Sequence, residues 1–123
     1  MSLLLFFACA SDPDAPPEVA FDHVSCDECG MLVSEPQHAA ALITTEGKTL
    51  TFDDPGCLFR YVVKNGPHVA RLWFHDASTW LRESETAFLP GGTTPMGSGL
   101  VTVPAGTPGA LTVGEASNRV LAP

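Results

Sequence analysis

Three sulfur-bearing side chains occur within the short segment 26–31, and their types and spacing point to metal chemistry. Cys26, Cys29 and Met31 supply two thiols and a thioether. Soft sulfur ligands of this mixed kind select Cu(I) over harder divalent ions. Gly30 allows the backbone between the last two sulfurs to bend, so that both can face one point. The Cys29 and Met31 pair therefore predicts a clamp for Cu(I), with Cys26 as a further candidate ligand.

Two other kinds of site share the Cys-x-x-Cys spacing, and Met31 also fits a buried core position. In the first alternative, Cys26 and Cys29 cycle between thiols and a disulfide. A thioredoxin-like motif would start a helix within a βαβ unit, whereas this pair precedes the first predicted hairpin. In the second alternative, Cys26, Cys29, Cys57 and a histidine hold a structural zinc ion.

Two candidate ligands lie outside this segment. His23 precedes Cys26 by three residues and is the best candidate for a nitrogen ligand. Met96 lies in a glycine-rich stretch with no helical or strand periodicity, which indicates a ligand or a gate rather than a core residue. We expect Met96 to lie close to the Cys29 and Met31 pair. Cys57 falls on the apolar face of a predicted helix, which favours a buried structural thiol.

The elements that must position these residues predict an α+β domain with a small, mostly antiparallel sheet. An Asp-Asp-Pro sequence at 53–55 predicts the start of one clear helix, with the aspartates as caps. The segment 117–121 predicts at most one helical turn, so the second half of the fold would be incomplete. Strands are predicted over residues 38–45, 49–52, 69–75, 86–89 and 100–103.

Length and charge limit the function classes. The chain of 123 residues is long enough for one domain with a modest core. Its net charge of −8, with only six Lys and Arg residues, argues against nucleic-acid binding. The sequence lacks the glycine-rich phosphate loop, the dinucleotide fingerprint and the serine nucleophile motif of common enzymes. We therefore expect a protein that is not an enzyme.

The N-terminus resembles a bacterial lipoprotein signal. The apolar run at 3–8 is shorter than the roughly 20 residues that a membrane span requires, and it ends in Ala8-Cys9. Lipidation of Cys9 would anchor the protein to a bacterial membrane, facing the periplasm. An odd number of thiols would then remain, which leaves at least one for chemistry or metal. The predicted organisation is a signal peptide at 1–8, a flexible tether at 9–19 and a metal-binding domain at 20–123.

Five motifs in order resemble those of the NosL family, over about residues 19–103. Any one of these motifs alone would be a weak signal, but their order and spacing are specific. They are Cys-x-x-Cys-Gly-Met at 26–31, Phe-Asp-Asp-x-Gly-Cys at 52–57, His-Asp at 75–76, Ala-Phe at 87–88 and Pro-Met-Gly-x-Gly at 95–99.

The resemblance implies a copper-chaperone lipoprotein that serves nitrous oxide reductase. It implies a small α+β fold of ββαβ units, and Cu(I) binding through a Cys-x-Met pair, which corresponds here to Cys29 and Met31. The partners that it implies are a copper-accepting client or a maturation transporter, together with a membrane that holds the lipid anchor.

Overall fold

The structure, a computed structural model, describes residues 14–123. Within these residues it contains seven strands and two α-helices. Short 3₁₀ turns cover Pro36–His38 and Glu83–Glu85. In chain order the elements are β1 (Ala40–Thr44), β2 (Thr49–Phe52), α1 (Pro55–Asn65), β3 (Val69–His75), β4 (Trp80–Arg82), β5 (Thr86–Leu89), β6 (Val101–Pro104), β7 (Leu111–Thr112) and α2 (Val113–Leu121).

The first sheet has four antiparallel strands in the order β2-β1-β3-β4. The predicted hairpin of β1 and β2 is confirmed, with Leu42 opposite Leu50 in the register. Four of the five β1 residues are buried, which explains why this strand is almost continuously apolar. Strand β2 lies at the edge of the sheet, and the chain leaves it directly into α1. The end of β2 therefore delivers the residues that open the helix.

Helix α1 begins where the Asp-Asp-Pro sequence predicted. Asp54, rather than Asp53, is the N-cap, and its side chain accepts a hydrogen bond from the Gly56 amide. Pro55 occupies the first helical position, where its missing N–H costs nothing. Gly66 ends the helix in the left-handed conformation. The first turn of α1 is buried, so Cys57, which follows Pro55 and Gly56, faces the interior.

The C-terminal segment differs from the prediction, because α2 has nine residues and the expectation of at most one helical turn was wrong. A capping box explains the early start of this helix: Thr112 and Glu115 each accept the other's backbone N–H. Ala116 is fully buried and anchors α2, which packs against α1. Strands β6-β5-β7 form a second antiparallel sheet beside it. Among the described residues no strand follows α2, so the second ββαβ-type unit lacks its last strand, as predicted.

One core joins the two sheets. The rings of Phe59 on α1, Phe74 on β3 and Phe88 on β5 lie 5.1 to 6.0 Å apart and meet at angles from tilted to edge-on. Burying one such side chain stabilises a fold by roughly 1.5–3 kcal/mol. The predicted α+β class with antiparallel sheets is confirmed. Because α1 packs against both sheets, the residues of its first turn are held in fixed positions.

The N-terminal predictions concern residues that the structure does not describe. The signal peptide at 1–8 and the lipidation of Cys9 lie outside residues 14–123, and so does the first part of the tether. These remain predictions. Among the described residues, neither helix has the length and apolar character needed to cross a bilayer.

Candidate metal centre

The sulfur-rich segment forms a closed loop, which we call the cysteine loop, over residues 24–33. The Val33 amide donates to the Val24 carbonyl at 2.9 Å, and the Cys26 amide donates to the Met31 carbonyl at 2.7 Å. Gly30 adopts a φ of 78°, which a residue with a side chain rarely adopts. The predicted bend before Met31 is therefore present, and the two ends of the segment are tied together.

Contacts to β2 and α1 hold the cysteine loop against the domain. The Asp27 amide donates to the Thr51 carbonyl at 2.8 Å, and the Thr51 amide donates to Asp27 Oδ2 at 2.8 Å. Lys64 near the end of α1 forms an ion pair with Glu28, with 2.7 Å between Nζ and Oε1. The cysteine loop is therefore fixed to both β2 and α1.

Three thiols and one carboxylate converge beneath this loop. One ligand atom from each of Cys26, Cys29, Asp53 and Cys57 lies within 4.8 Å of every other. The cysteine loop supplies two of these residues, the end of β2 leads into Asp53, and the first turn of α1 supplies Cys57. The Cys29 thiol donates a hydrogen bond to Asp53 Oδ1 at 3.3 Å, and all three cysteines are free thiols. The cluster has the donor atoms to hold a metal ion.

Exposure separates the inner and outer sides of the cluster. Cys26, Asp53 and Cys57 are buried, whereas Cys29 is half-buried. Met31 is 58% exposed, so the interpretation of this residue as part of the core was wrong. A metal ion that enters from solvent, or that passes to a partner protein, would therefore reach Cys29 and Met31 before the buried residues.

The three thiols differ in acidity because they share hydrogen bonds in a partly buried space. A hydrogen bond from Cys57 lowers the pKa of Cys26 to about 6, although burial opposes this change. Its hydrogen bond to Cys26, together with burial, raises the pKa of Cys57 far above its ordinary value. Burial raises the pKa of Cys29 to about 11. Among the three thiols of the metal-free cluster, Cys26 is therefore the most acidic and the first to form a thiolate that attracts a cation.

This distribution of charge can be measured by titrating the reduced, metal-free protein. We expect the ultraviolet absorbance of thiolate to rise in a step with a midpoint near pH 6, because the Cys26 pKa is lowered to about 6. The step should disappear in Cys26→Ser. Were the first thiolate to form only around pH 8.5, the ordinary range for a thiol, the hydrogen bond from Cys57 would not have this effect.

A second loop is attached to the same helix start. The fully buried Asp54 accepts hydrogen bonds from the Met96 amide at 2.9 Å and from the Ser98 hydroxyl. The close approach requires a glycine at position 56, because a Cβ there would lie 2.7 Å from the Ser98 Cβ. Met96 itself is 42% exposed.

The pKa of Asp54 reflects this network. Burial acts to raise it, but hydrogen bonds from Ser98, Thr94 and the amides of Gly56 and Met96 outweigh burial and hold the pKa below its ordinary value. Asp54 is therefore ionised, and its hydrogen bonds attach the loop at 94–98 to the start of α1.

The two loops that carry sulfur atoms thus contact neighbouring residues at the start of α1. Asp53 contacts the Cys29 thiol, and its neighbour Asp54 holds the Met96 backbone. This arrangement brings the loops to one end of α1. A direct role for the Met96 thioether as ligand or gate stays a prediction.

His23 does not join the cluster. Its side chain is exposed, and among the described residues the group of possible ligands consists of the three cysteines and Asp53. The predicted zinc site therefore needs correction, because a carboxylate rather than a histidine is its fourth member.

Asp53 is the possible ligand that the sequence analysis missed, because it fits a helix cap equally well. Cys57 was considered as a ligand only in the zinc alternative, and otherwise as a buried structural thiol. Both residues belong to the Phe-Asp-Asp-x-Gly-Cys motif. Burial of Cys57 was predicted correctly, but its sulfur lies among the others.

Comparisons with known proteins bear on the fold. The sequence matches no family model and no curated protein at a significant level. Among solved structures, it is similar to the crystal structure of the copper chaperone NosL from Shewanella denitrificans, with 18% sequence identity and a TM-score of 0.54. The match covers 85% of this chain and 87% of that protein. At this level of identity the likeness concerns the three-dimensional arrangement, and the chain has the NosL fold.

Proposed function

We propose that this protein is a copper chaperone that binds Cu(I) at the cysteine loop and passes it to an acceptor protein. The observation that carries the proposal is the half-buried Cys29 thiol, which joins two further thiols within 4.8 Å in the loop that also presents the exposed Met31. Thiolate and thioether donors favour Cu(I). The similar solved structure is that of a copper chaperone, which agrees with this proposal.

Delivery requires that the ion can leave as well as enter. Cys29 and Met31 are the donors nearest to solvent, so an acceptor's sulfur ligands could attack the ion from that side. Each new bond to the acceptor would replace one bond to this protein, and the ion would never be free in solution. The net charge of −8 favours an acceptor with a basic surface.

The acceptor and the location follow from the resemblance and the N-terminal sequence. We propose nitrous oxide reductase or its maturation transporter as the acceptor, on the periplasmic side of a bacterial membrane. We expect Cys9 to carry the lipid anchor, so that Cys9→Ser shifts the protein from the membrane to the soluble fraction. Mass spectrometry of the membrane-bound protein should show an acylated N-terminal cysteine. Full-length soluble protein with an unmodified Cys9 would contradict this expectation.

Competition between metals tests the copper proposal. The reduced protein is titrated with Cu(I) in the presence of a chromogenic Cu(I) chelator, and the titration is repeated with equimolar Zn²⁺. We expect a single equivalent of Cu(I) to be withdrawn from the chelator, with little effect of Zn²⁺. Stoichiometric Zn²⁺ that resists displacement by Cu(I) would overturn the proposal.

A structural zinc site is the second candidate function, and one observation favours it. Three thiols and one carboxylate provide the four ligands that a closed zinc site uses. Such a site would contribute directly to folding. Chelation of zinc from the purified protein would then lower its melting temperature sharply, whereas a chaperone with removable cargo keeps its fold without metal.

A substitution at Met31 isolates the thioether. Because Met31 is 58% exposed, Met31→Leu keeps most of the side-chain volume and should leave the melting temperature nearly unchanged. We expect Cu(I) affinity to fall by up to about tenfold, or roughly 1.4 kcal/mol. The measurement is the chelator competition together with a thermal melt. An equal loss of stability in the metal-free protein would show that Met31 acts through packing.

A further inference from the structure

Cys57 occupies a different position from the two loop cysteines. It lies in the first turn of α1, is 1% exposed, and belongs to the core of the domain. Its backbone amide donates to the Asp54 carbonyl at 3.0 Å, so the position of the residue is set by the helix start. The rigid helix, rather than the loop, therefore determines where this sulfur lies.

The surroundings of Cys57 are not those of an ordinary core thiol. A free buried cysteine usually packs as a small apolar group. Here the thiol instead donates a hydrogen bond to Cys26, and its sulfur lies within 4.8 Å of the Cys29 sulfur and an Asp53 oxygen. Four polar or polarisable atoms thus share one buried space.

The distances between the three cysteine sulfurs allow all of them to bind one metal ion. With metal–sulfur bonds of about 2.3 Å, three sulfurs around one ion lie roughly 4 Å from each other. The upper limit of 4.8 Å observed for all pairs is close to this value. Small side-chain rotations of the loop cysteines would close the remaining gap, without movement of the helix.

We infer that Cys57 is a ligand of the copper cargo, so that Cu(I) is held between the thiolates of Cys26, Cys29 and Cys57, with Met31 on the outer side. The inference rests on the proposed function and names an inner ligand for that same site. Three copper–sulfur bonds form, and the protons still held by the thiols pass to solvent.

The role of Asp53 distinguishes this copper site from a zinc site. A tetrahedral zinc ion would need the carboxylate as its fourth ligand, whereas Cu(I) is satisfied by three thiolates. Asp53→Asn replaces the carboxylate with a weaker amide donor, so it should lower the affinity for Zn²⁺ more than the affinity for Cu(I).

Two substitutions at Cys57 test the inference in the reduced full-length protein. Cys57→Ser keeps the size of the side chain, and Cys57→Ala avoids placing a hydroxyl in the core. We expect each variant to bind Cu(I) at least tenfold more weakly than the wild type in the chelator competition, while the control Glu28→Gln, which changes no member of the cluster, stays within threefold of the wild type. Melting curves of the metal-free variants establish that the loss is not one of folding.

X-ray absorption supplies a readout that does not depend on affinity. The Cu(I)-loaded Met31→Leu protein should show three sulfur neighbours, because its exposed thioether is gone and the three thiolates remain. Adding Cys57→Ala to it should produce the near-edge peak of two-coordinate Cu(I). If the Cys57 variants do not fold, the sulfur number in Met31→Leu decides alone, and two sulfurs would overturn the inference.

The outcomes separate the inference from the function on which it rests. Wild-type protein that binds Cu(I) while both Cys57 variants bind it within threefold would overturn the inner ligand and leave the chaperone proposal intact. Wild-type protein that fails to bind Cu(I) would overturn the proposed function itself. A loss of Zn²⁺ binding in Asp53→Asn, with Zn²⁺ preferred over Cu(I) in the wild type, would assign the cluster to zinc.

Discussion

Cys29→Ser will abolish tight Cu(I) binding, with a loss of at least about 100-fold, or roughly 2.7 kcal/mol. Cys29 is the half-buried member of the cluster, between the buried thiols and the surface. A hydroxyl is a hard, neutral donor that Cu(I) binds poorly. Because the side chain is not part of the fully buried core, serine should leave the fold intact. Chelator competition and a melt of the metal-free protein provide the two measurements.

Glu28→Gln is the matched control, because it changes the neighbouring residue without touching a sulfur. It removes the ion pair with Lys64, whose ammonium group is largely exposed, and exposed pairs contribute about 0–1 kcal/mol. We expect Cu(I) affinity within threefold of the wild type. Retention of wild-type affinity by Cys29→Ser would contradict the proposed ligand set.

Asp54→Ala should have the largest effect on stability. The substitution removes a helix cap and leaves the buried Gly56 amide and the partly buried Met96 amide without their acceptor, while the Ser98 hydroxyl keeps its contact with Thr94 Oγ1. A lost cap costs about 0.5–2 kcal/mol and a buried unsatisfied donor about 1–3 kcal/mol. We expect a loss of about 3 kcal/mol or more in the free energy of unfolding, measured with urea.

Asp54→Asn separates the two roles of this carboxylate. Asparagine is a good helix cap, and its one acceptor oxygen can keep the Gly56 amide and the Ser98 hydroxyl, which both bond Oδ1. The Met96 amide, which bonds Oδ2, loses its acceptor. We expect a smaller loss than for alanine. Because the Asp54 pKa is lowered, its contribution is complete above the ordinary pKa and declines as the pH falls through the folded value. Asp54→Asn should therefore weaken the acid dependence of stability, and unchanged dependence would contradict the network.

Local signals predicted much of the fold. Thr49–Phe52, Val69–His75 and Thr86–Leu89 match their predicted bounds. Rough alternation marks Val69–His75, and flanking turn residues mark the other two strands. The Asp-Pro start and glycine end of α1 were equally clear. Helix α2 was predicted too short, because only five of its nine residues, 117–121, were recognised and the capping box of Thr112 and Glu115 was overlooked.

The candidate site was predictable only in part, because its members come from separate elements. The spacing of Cys26, Cys29 and Met31 was visible in one segment. Nothing local indicates that Cys57 turns its sulfur toward that loop, since its position on the apolar helix face fits an ordinary core residue equally well. The roles of Asp53 and Asp54 could not be separated either, because both fit a cap. Only tertiary packing places Asp53 beside the Cys29 thiol and Asp54 beside the Met96 loop.

The contact between the cysteine loop and β2 has a consequence for self-association. Edge strands present unpaired amides and carbonyls that can join the sheet of another molecule. Strand β2 is such an edge, and Asp27 bonds both the amide and the carbonyl of Thr51. The loop that carries the thiols is thus also a cover that blocks strand addition at this edge. A substitution of Asp27 that leaves every sulfur in place would keep the backbone bond to the Thr51 carbonyl but would free the Thr51 amide, and so weaken the protection against aggregation.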